Sequence, residues 1–170
     1  MQTRLRSALS ALALFCTTSL ALAAPATQVL GKDFEFPNTL EGMPARLSDV
    51  KGLQIKHFET SDSVNLSYWE AGSGKPLVII PGWSASGAEF INVIHLLGQH
   101  YHVYVLDPRN QGLSERVEHG MHIARYAMDV KEFGAHLGLK SAYYLGWSMG
   151  ASVIWSYIDL FGGKDIRKAV

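Results

Sequence analysis

One pentapeptide in the chain has the residue types and the spacing of a reactive serine, Gly146-Trp147-Ser148-Met149-Gly150. It follows a predicted strand and begins a predicted helix, as the pattern Gly-x-Ser-x-Gly requires. A serine at the tip of such a tight turn has strained backbone angles, and the residues two before and two after it must lack bulk if the strand and the helix are to pass closely. Because glycine meets this need at both places, we predict that Ser148 is a nucleophile.

The position of Ser148 also favours negative charge. It lies at the start of the predicted helix, where free amide groups and the helix dipole stabilise an anion that develops during a reaction. The alternative interpretation is a chance match, since a pattern with three fixed residues arises by accident in some chains. The strand that ends in Tyr143-Tyr144-Leu145 and the apolar helix that follows favour a true strand-to-helix turn.

Five sequence segments predict the strands that position this serine. Three continuously apolar runs, at residues 77–80, 103–106 and 142–145, predict strands that are buried on both faces of a parallel sheet. Before them, residues 53–58 and 64–69 are rich in β-branched and aromatic side chains and flank the short polar segment Ser61-Asp62-Ser63. These two runs predict a β-hairpin.

Amphipathic helices are predicted between the apolar strands. Ser86 and Glu89 have the spacing of a capping box, and an apolar stripe over the next eight positions follows them. A second helix is predicted over residues 123–138 and a third, apolar nearly all round, over about residues 148–160. Residues 167–170 begin a further strand. This alternation predicts βαβ units with right-handed crossovers, and therefore an α/β fold.

The first 23 residues have the composition of a secretory signal peptide. Arg4 and Arg6 precede a largely apolar run over residues 8–22, which ends in small residues at Ala23. A permanent membrane anchor is the alternative, but polar residues at 17–19 interrupt the run, and it falls short of the roughly 20 apolar residues that span a bilayer. We therefore expect cleavage after Ala23, export to the periplasm or the outside of the cell, and no stable membrane insertion afterwards.

Composition limits the remaining possibilities. The single cysteine, Cys16, lies in the leader, so a mature chain would form no disulfide, and bulky Phe15 before it argues against lipidation. Without Arg4 and Arg6, thirteen of the fifteen basic residues remain against fifteen acidic ones, a near-neutral balance that argues against nucleic acid as a partner. The oligomeric state cannot be inferred from the sequence.

Two parts are predicted for the mature chain. Residues 24–50 have no sustained period and contain Pro37 and Pro44, so we expect an N-terminal arm, followed by the α/β domain over residues 51–170.

Two histidine pairs raise the alternative of a metal site. They are His100 with His102, and His119 with His122. Because no cysteine and no carboxylate cluster is near them, we interpret them as ordinary surface or strand-end histidines.

The chain resembles the α/β-hydrolase superfamily, and within it the branch of small esterases, lactonases and cofactor-free haloperoxidase-like enzymes. The resemblance covers about residues 53–170, and three segments carry it in the family's order: Ile80-Pro81-Gly82-Trp83-Ser84, Asp107-Pro108-Arg109-Asn110-Gln111-Gly112-Leu113-Ser114, and the pentapeptide around Ser148. It implies the N-terminal half of an α/β-hydrolase fold, in which an antiparallel hairpin leads into a parallel sheet flanked by helices.

The resemblance also implies roles for backbone amides and for aromatic side chains. The N–H groups of Trp83 and Met149 would form an oxyanion hole, in which each donor contributes about 3 to 4 kcal/mol to transition-state stabilisation. This chain has Pro81 where the family usually has histidine, a departure that leaves the Trp83 amide in place. The side chains of Trp83 and Trp147 fit either a pocket wall or the core.

The second segment of the resemblance implies a structural turn. Asp107 and Arg109 would brace loops near the site, with Gly112 and Ser114 as turn residues. The alternative for Asp107 is the acid of a catalytic triad.

In this family the triad acid and histidine come later in the chain than the nucleophile. All seven histidines precede Ser148, and Asp159 and Asp165 are the acidic residues that follow it. We therefore expect an N-terminal fragment that lacks its base, exposes an unpaired sheet edge, and neither folds stably nor turns over substrate. A sharp cooperative melt together with esterase activity would overturn this expectation.

The activity that the resemblance implies is hydrolysis of an ester, lactone or similar small acyl substrate through an acyl-serine intermediate, without a metal or an organic cofactor. Two alternatives stay open. The acyl group would pass to hydrogen peroxide or an alcohol in one of them, and the chain would be a truncated pseudoenzyme or binding module in the other.

Overall fold

The computed structural model describes residues 24–37 and 40–170, and this part of the chain forms one mixed sheet of six strands. In chain order they are β1 (Gln54–Glu59), β2 (Asn65–Gly72), β3 (Lys75–Ile80), β4 (Tyr101–Leu106), β5 (Ala142–Gly146) and β6 (Ile166–Ala169). Across the sheet the order is β1-β2-β4-β3-β5-β6. The pairs β1–β2 and β2–β4 are antiparallel, and the pairs from β4 through β3 and β5 to β6 are parallel.

Helices connect the parallel strands as the sequence predicts. The described helices are α1 (Ala26–Leu30), α2 (Ile91–Leu97), α3 (Ile123–His136) and α4 (Met149–Phe161), with short 3-10 turns at Leu47–Asp49 and Gly87–Phe90. The predicted capping box is present, since the Glu89 carboxylate accepts the Ser86 amide at 2.8 Å. This capping box lies at the start of the 3-10 turn rather than of α2. The α-helix begins only at Ile91, because residues 87–90 form the tighter 3-10 turn first.

The apolar runs of β3 and β4 are covered on both faces of the sheet, whereas Tyr143 and Leu145 leave one face of β5 partly exposed, contrary to the prediction for that run. Val78 and Ile79 of β3 and Val103 and Val105 of β4 have no exposed surface. The predicted hairpin and parallel strands are therefore confirmed. Because β3, β4 and β5 are parallel, the loops that follow them lie at one edge of the sheet.

A hydrophobic core lies on each face of the sheet. One core contains the inner faces of α3 and α4 and includes Phe133, whose ring centroid lies 5.3 Å from that of Phe58 and 4.9 Å from that of Tyr68. The other contains α2 and several residues of the N-terminal arm.

The N-terminal arm is more ordered than its lack of periodicity predicts. Ala26, Leu47 and Val50 are buried in the second core, and an isolated bridge joins Pro25 to Gln54 of β1. The arm thus packs on the sheet through single apolar contacts, a pattern that has no period in the sequence. The predicted signal peptide, residues 1–23, lies outside the described residues.

Apolar side chains are exposed along the side of the chain that carries α4 and β6. Trp155 and Leu160 of α4 and Val170 after β6 are all more than half exposed. Within the described residues, β6 pairs only with β5, so its outer edge is unpaired, as the sequence predicts. No helix in residues 24–37 and 40–170 has both the length and the apolar character needed to cross a membrane.

Replacement of Phe133 tests the first core. Phe133 has no exposed surface, so Phe133→Ala is expected to lower the free energy of unfolding by about 3 to 5 kcal/mol through lost burial and the cavity that remains. The matched control is Phe34→Ala, where the side chain is 43% exposed and the expected loss is below about 1 kcal/mol. Urea unfolding followed by tryptophan fluorescence, on a length of the protein that unfolds cooperatively, measures both, and equal losses would contradict the assigned core.

Candidate active site

Ser148 occupies the turn between β5 and α4, at the edge where the loops after the parallel strands meet. Its backbone angles are φ 56° and ψ −121°, in a region that residues with a side chain rarely adopt. Its side chain is exposed and forms no hydrogen bond with any described residue. The hydroxyl is therefore held at the surface in a strained turn and is free to meet a reactant.

The two flanking glycines are required by close backbone approaches. A Cβ on Gly146 would lie 2.6 Å from the Ala151 amide nitrogen. A Cβ on Gly150 would overlap the Ile80 carbonyl oxygen and lie 2.9 Å from the Pro81 carbonyl oxygen. The physical reason predicted for these residues therefore holds in the structure, since β5, α4 and the end of β3 pass too closely for any side chain.

Hydrogen bonds fix the turn between these elements. The Trp147 amide donates to the Ile80 carbonyl at 3.0 Å, and the Gly146 amide donates to the Val170 carbonyl at 2.9 Å. The turn is therefore joined to β3 on one side and to the segment after β6 on the other.

The loop after β3 lies directly against the serine. A Cβ on Gly82 would lie 2.9 Å from the Ser148 Cβ, and Ser84 has a φ of 55°. Among the hydrogen bonds that the described residues form, none has the Trp83 or Met149 amide as its donor. Both predicted oxyanion donors are thus unoccupied N–H groups on the two segments that meet at Ser148.

The indole side chains flank this edge rather than fill the core. Trp83 is 68% exposed and Trp147 is 54% exposed, and the Trp147 ring meets Phe90 edge to face at 6.2 Å between centroids. Of the two interpretations of these side chains, the core one is wrong in the described part of the chain.

Asp107 joins the loops that follow β3 and β4. Its carboxylate accepts hydrogen bonds from the Gly87 amide at 2.6 Å, the Leu113 amide at 2.9 Å and the Trp69 indole at 3.2 Å. Asp107 is fully buried, and this burial raises the pKa of its carboxyl although the three N–H donors favour the ionised form. Asp107 therefore organises loops, and it contacts neither a histidine nor Ser148 in the described structure.

Arg109, in the same loop as Asp107, forms ion pairs with several charged side chains. The hairpin-turn cluster consists of Asp62, Arg109, Arg125, Asp129 and Glu132. Arg109 is fully buried and donates to Asp129 at 2.7 and 2.8 Å and to Asp62 at 3.0 and 3.2 Å. Arg125 adds contacts to Asp129 and Glu132, so the β1–β2 turn is joined to the loop after β4 and to α3.

The partners of Arg109 could not be found from the sequence. Asp62 lies in the short polar segment between the two hairpin strands, and Asp129 lies within the buried stripe of α3, where a carboxylate breaks the apolar pattern. A charged residue on the buried face of a helix is the signal that could have pointed to a buried ion pair, although not to its partner.

The histidines and the downstream acids lie elsewhere. His122 caps α3 through Nδ1, which accepts the Arg125 amide at 3.3 Å, and His102 hydrogen-bonds the Tyr104 hydroxyl at 2.9 Å. Asp165 binds Lys131 at 2.9 Å, and Asp159 is exposed on α4. None of the seven histidines forms a hydrogen bond with Ser148, and no group of three or more potential metal ligands occurs among the described residues.

The segments that form this site match a known protein family. A family model described as an alpha/beta hydrolase fold matches residues 75–170, more than half of the chain. The chain belongs to the α/β hydrolase family. The predicted resemblance is therefore confirmed at the level of the family and its fold.

Curated relatives of this α/β hydrolase have several activities. A non-heme haloperoxidase from Rhodococcus erythropolis is 32% identical over 111 residues, which make up 65% of this chain and 40% of the relative. A soluble epoxide hydrolase from a Corynebacterium species is 34% identical over 105 residues, 61% of this chain and 37% of the relative. The chain thus spans about two fifths of the length of these relatives.

Solved structures match the same region of this α/β hydrolase. An epoxide hydrolase without ligand superposes with a TM-score of 0.61 at 32% identity, over 68% of this chain and 41% of that protein. An esterase from Exiguobacterium antarcticum gives 0.65 at 26% identity, over 67% of this chain and 43% of that protein.

A Gly150→Ala substitution, which adds one methyl group, tests whether Gly150 lies as close to β3 as the structure shows. Gly150→Ala would push the added Cβ into the backbone of β3, so we expect a loss of about 1 to 3 kcal/mol or more in unfolding free energy. Gly163→Ala is the matched control, because a Cβ there meets no atom within 4 Å. Thermal melts compare the two variants, and an unchanged midpoint for Gly150→Ala would contradict the described packing.

The ion pairs of Asp62 predict a pH dependence. The hydrogen bond from Arg109 holds the pKa of the Asp62 carboxyl well below its usual range. A depressed pKa gives stability that is complete above about pH 4 and is lost as the pH falls toward the folded-state value. Asp62→Asn is therefore expected to cost about 1 to 3 kcal/mol at pH 7 and progressively less below pH 4.

Urea unfolding at a series of pH values measures the difference between Asp62→Asn and the parent. The exposed Asp159→Asn is the control and should change stability little at any pH. A difference that grows in acid would be the wrong sign for these ion pairs.

Proposed function

We propose that Ser148 is the nucleophile of a serine hydrolase that acts on small esters, lactones or similar acyl compounds. The observation that carries the proposal is the strained, exposed conformation of Ser148 between two unoccupied backbone amides. The esterase among the similar solved structures adds support at the level of the fold and activity class.

The proposed reaction has two steps. The Ser148 hydroxyl oxygen attacks the carbonyl carbon while a base takes its proton, and the carbonyl oxygen gains negative charge beside the Trp83 and Met149 amides. When the carbonyl re-forms, the bond to the leaving oxygen breaks and that oxygen takes the proton. Water then attacks the acyl-serine in the same way and releases the acid. The mechanism uses no metal or organic cofactor.

The base is the part of this mechanism that the chain does not place at the serine. None of its histidines forms a hydrogen bond with Ser148, and the chain spans about two fifths of the length of its relatives. We propose that the base and its orienting acid belong to a longer form of the protein. The predicted leader would place the activity in the periplasm or outside the cell.

Two observations favour second candidates. Similarity to a non-heme haloperoxidase favours transfer of the acyl group to hydrogen peroxide, and product analysis separates this from hydrolysis because both share the serine step. The absence of a hydrogen bond between Ser148 and a histidine in the described residues favours a non-catalytic binding module.

A fluorescent phosphonate that reacts with activated serines tests the proposal. It is applied to the 170-residue chain and to a version extended through any downstream reading frame, each with Ser148→Ala as its control. We expect labelling of the extended version alone, with at least about a 100-fold loss in Ser148→Ala. Absence of labelling in both versions would overturn the proposed hydrolase and favour the binding module.

A further inference from the structure

The indole ring of Trp147 lies against the loop that follows β3. A Cβ on Gly82 would lie 3.0 Å from Trp147 Cε3 and 3.1 Å from Trp147 Cζ3, two atoms of the six-membered ring. The same Cβ would lie 2.9 Å from the Ser148 Cβ. The edge of the indole ring and the proposed nucleophile therefore flank Gly82 together, and a side chain at Gly82 would collide with both.

The indole ring also contacts the 3-10 turn that follows this loop. Trp147 meets Phe90 edge to face, with 6.2 Å between the ring centroids and 76° between the ring planes. Aromatic pairs prefer this arrangement to a face-to-face sandwich. Because Phe90 is buried in the second hydrophobic core, it gives the half-exposed indole a fixed support.

The backbone of Trp147 is fixed to the same part of the chain. Its amide donates to the Ile80 carbonyl at 3.0 Å, at the end of β3. Trp147 thus contacts Ile80 before the loop, Gly82 within it and Phe90 after it. One residue beside the proposed nucleophile therefore spans the whole loop.

The loop carries one of the two predicted oxyanion donors. A hydrogen bond of 3.3 Å from the Ala85 amide to the Gly82 carbonyl closes it into a turn, in which Ser84 has a φ of 55°. The side chain of Trp83 is exposed, and its amide donates to none of the described residues. Since this amide belongs to the peptide that joins Gly82 to Trp83, a group that fixes Gly82 also fixes the direction of the N–H bond.

We propose that Trp147 is a positioning residue, whose indole ring holds the Gly82–Trp83 peptide so that the Trp83 amide faces the oxyanion formed at Ser148. The inference rests on the proposed hydrolase function. A preorganised donor stabilises the transition state only where the charge develops, and a displacement of about 1 Å can lower the rate by about a hundredfold. A ring that merely lines the substrate pocket would change substrate binding instead.

Two substitutions at Trp147 separate these roles. Hydrolysis of para-nitrophenyl butanoate is measured on whichever length of the protein shows Ser148-dependent activity. Trp147→Ala removes the ring, so we expect kcat to fall by about tenfold or more while KM stays within about twofold. Trp147→Phe keeps a six-membered ring that can reach Gly82 and Phe90, and it is expected to restore kcat to within about threefold of the parent.

Leu96→Ala is the matched control for the loss of an apolar side chain. Leu96 is 46% exposed and lies at the end of α2, next to the edge of the sheet opposite Ser148. Its truncation is expected to leave both kcat and KM unchanged. Thermal melts show whether each variant folds. If Trp147→Ala does not fold, Trp147→Leu replaces it and is expected to lose kcat in the same way, because leucine has no flat ring edge to pack on Gly82.

A trifluoromethyl ketone gives a readout that does not depend on turnover. The Ser148 oxygen adds to the ketone carbon, the base takes the serine proton, and the ketone oxygen becomes an anion that the oxyanion donors bind. Fluorine NMR titration measures the affinity for propyl trifluoromethyl ketone. We expect Trp147→Ala to weaken this affinity by about the factor that it loses in kcat, and Leu96→Ala to leave it unchanged.

The remaining outcomes separate the inference from the proposed function. An unchanged kcat in Trp147→Ala, or a rise in KM alone, overturns the inference and leaves the hydrolase standing. A fall in kcat without a matching loss of ketone affinity overturns it as well, because the ring would then act on something other than the oxyanion. Absence of any Ser148-dependent hydrolysis by the parent protein overturns both.

Discussion

The close approach of three backbone segments around Ser148 is the constraint on which the site depends. The end of β3, the turn after β5 and the first turn of α4 are so near one another that Gly146 and Gly150 leave no room for a Cβ. The same crowding holds Ser148 at a positive φ of 56°, and its side chain is exposed. A side chain at Gly146 or Gly150 would force these segments apart, because its Cβ would overlap neighbouring backbone atoms.

The loops around the turn are held by buried polar contacts rather than by apolar packing. Asp107 fastens the loops after β3 and β4, and Arg109 joins its loop to α3 and to the β1–β2 turn. Removal of one partner of such a buried pair leaves an uncompensated charge, which makes the arrangement intolerant of change. Buried hydrogen bonds thus join the loops on the side of β3, β4 and α3, whereas the face of α4 and the edge of β6 expose apolar surface.

The sequence predicted most of the fold because its strands and helices have strong periodic signals. The apolar runs of β3, β4 and β5 and the glycine spacing around Ser148 depend only on neighbouring residues, and local patterns reveal them. The contact of Arg109 with Asp62 joins positions 47 residues apart, and the burial of Gln111 depends on how loops pack. No local pattern encodes either one. The roles of Ser148, Trp83 and Met149 in catalysis stay predictions.

The most direct test of the account maps a phosphonate adduct by mass spectrometry. Tryptic cleavage yields a peptide from Ser141 to Lys164, which also contains Ser152 and Ser156 as internal controls in the same sequence context. If the strained turn activates the serine, fragment ions place the adduct on Ser148 alone in the active length of the protein. An adduct spread over the four serines, or located on another one, would contradict the claim that the turn makes Ser148 the nucleophile.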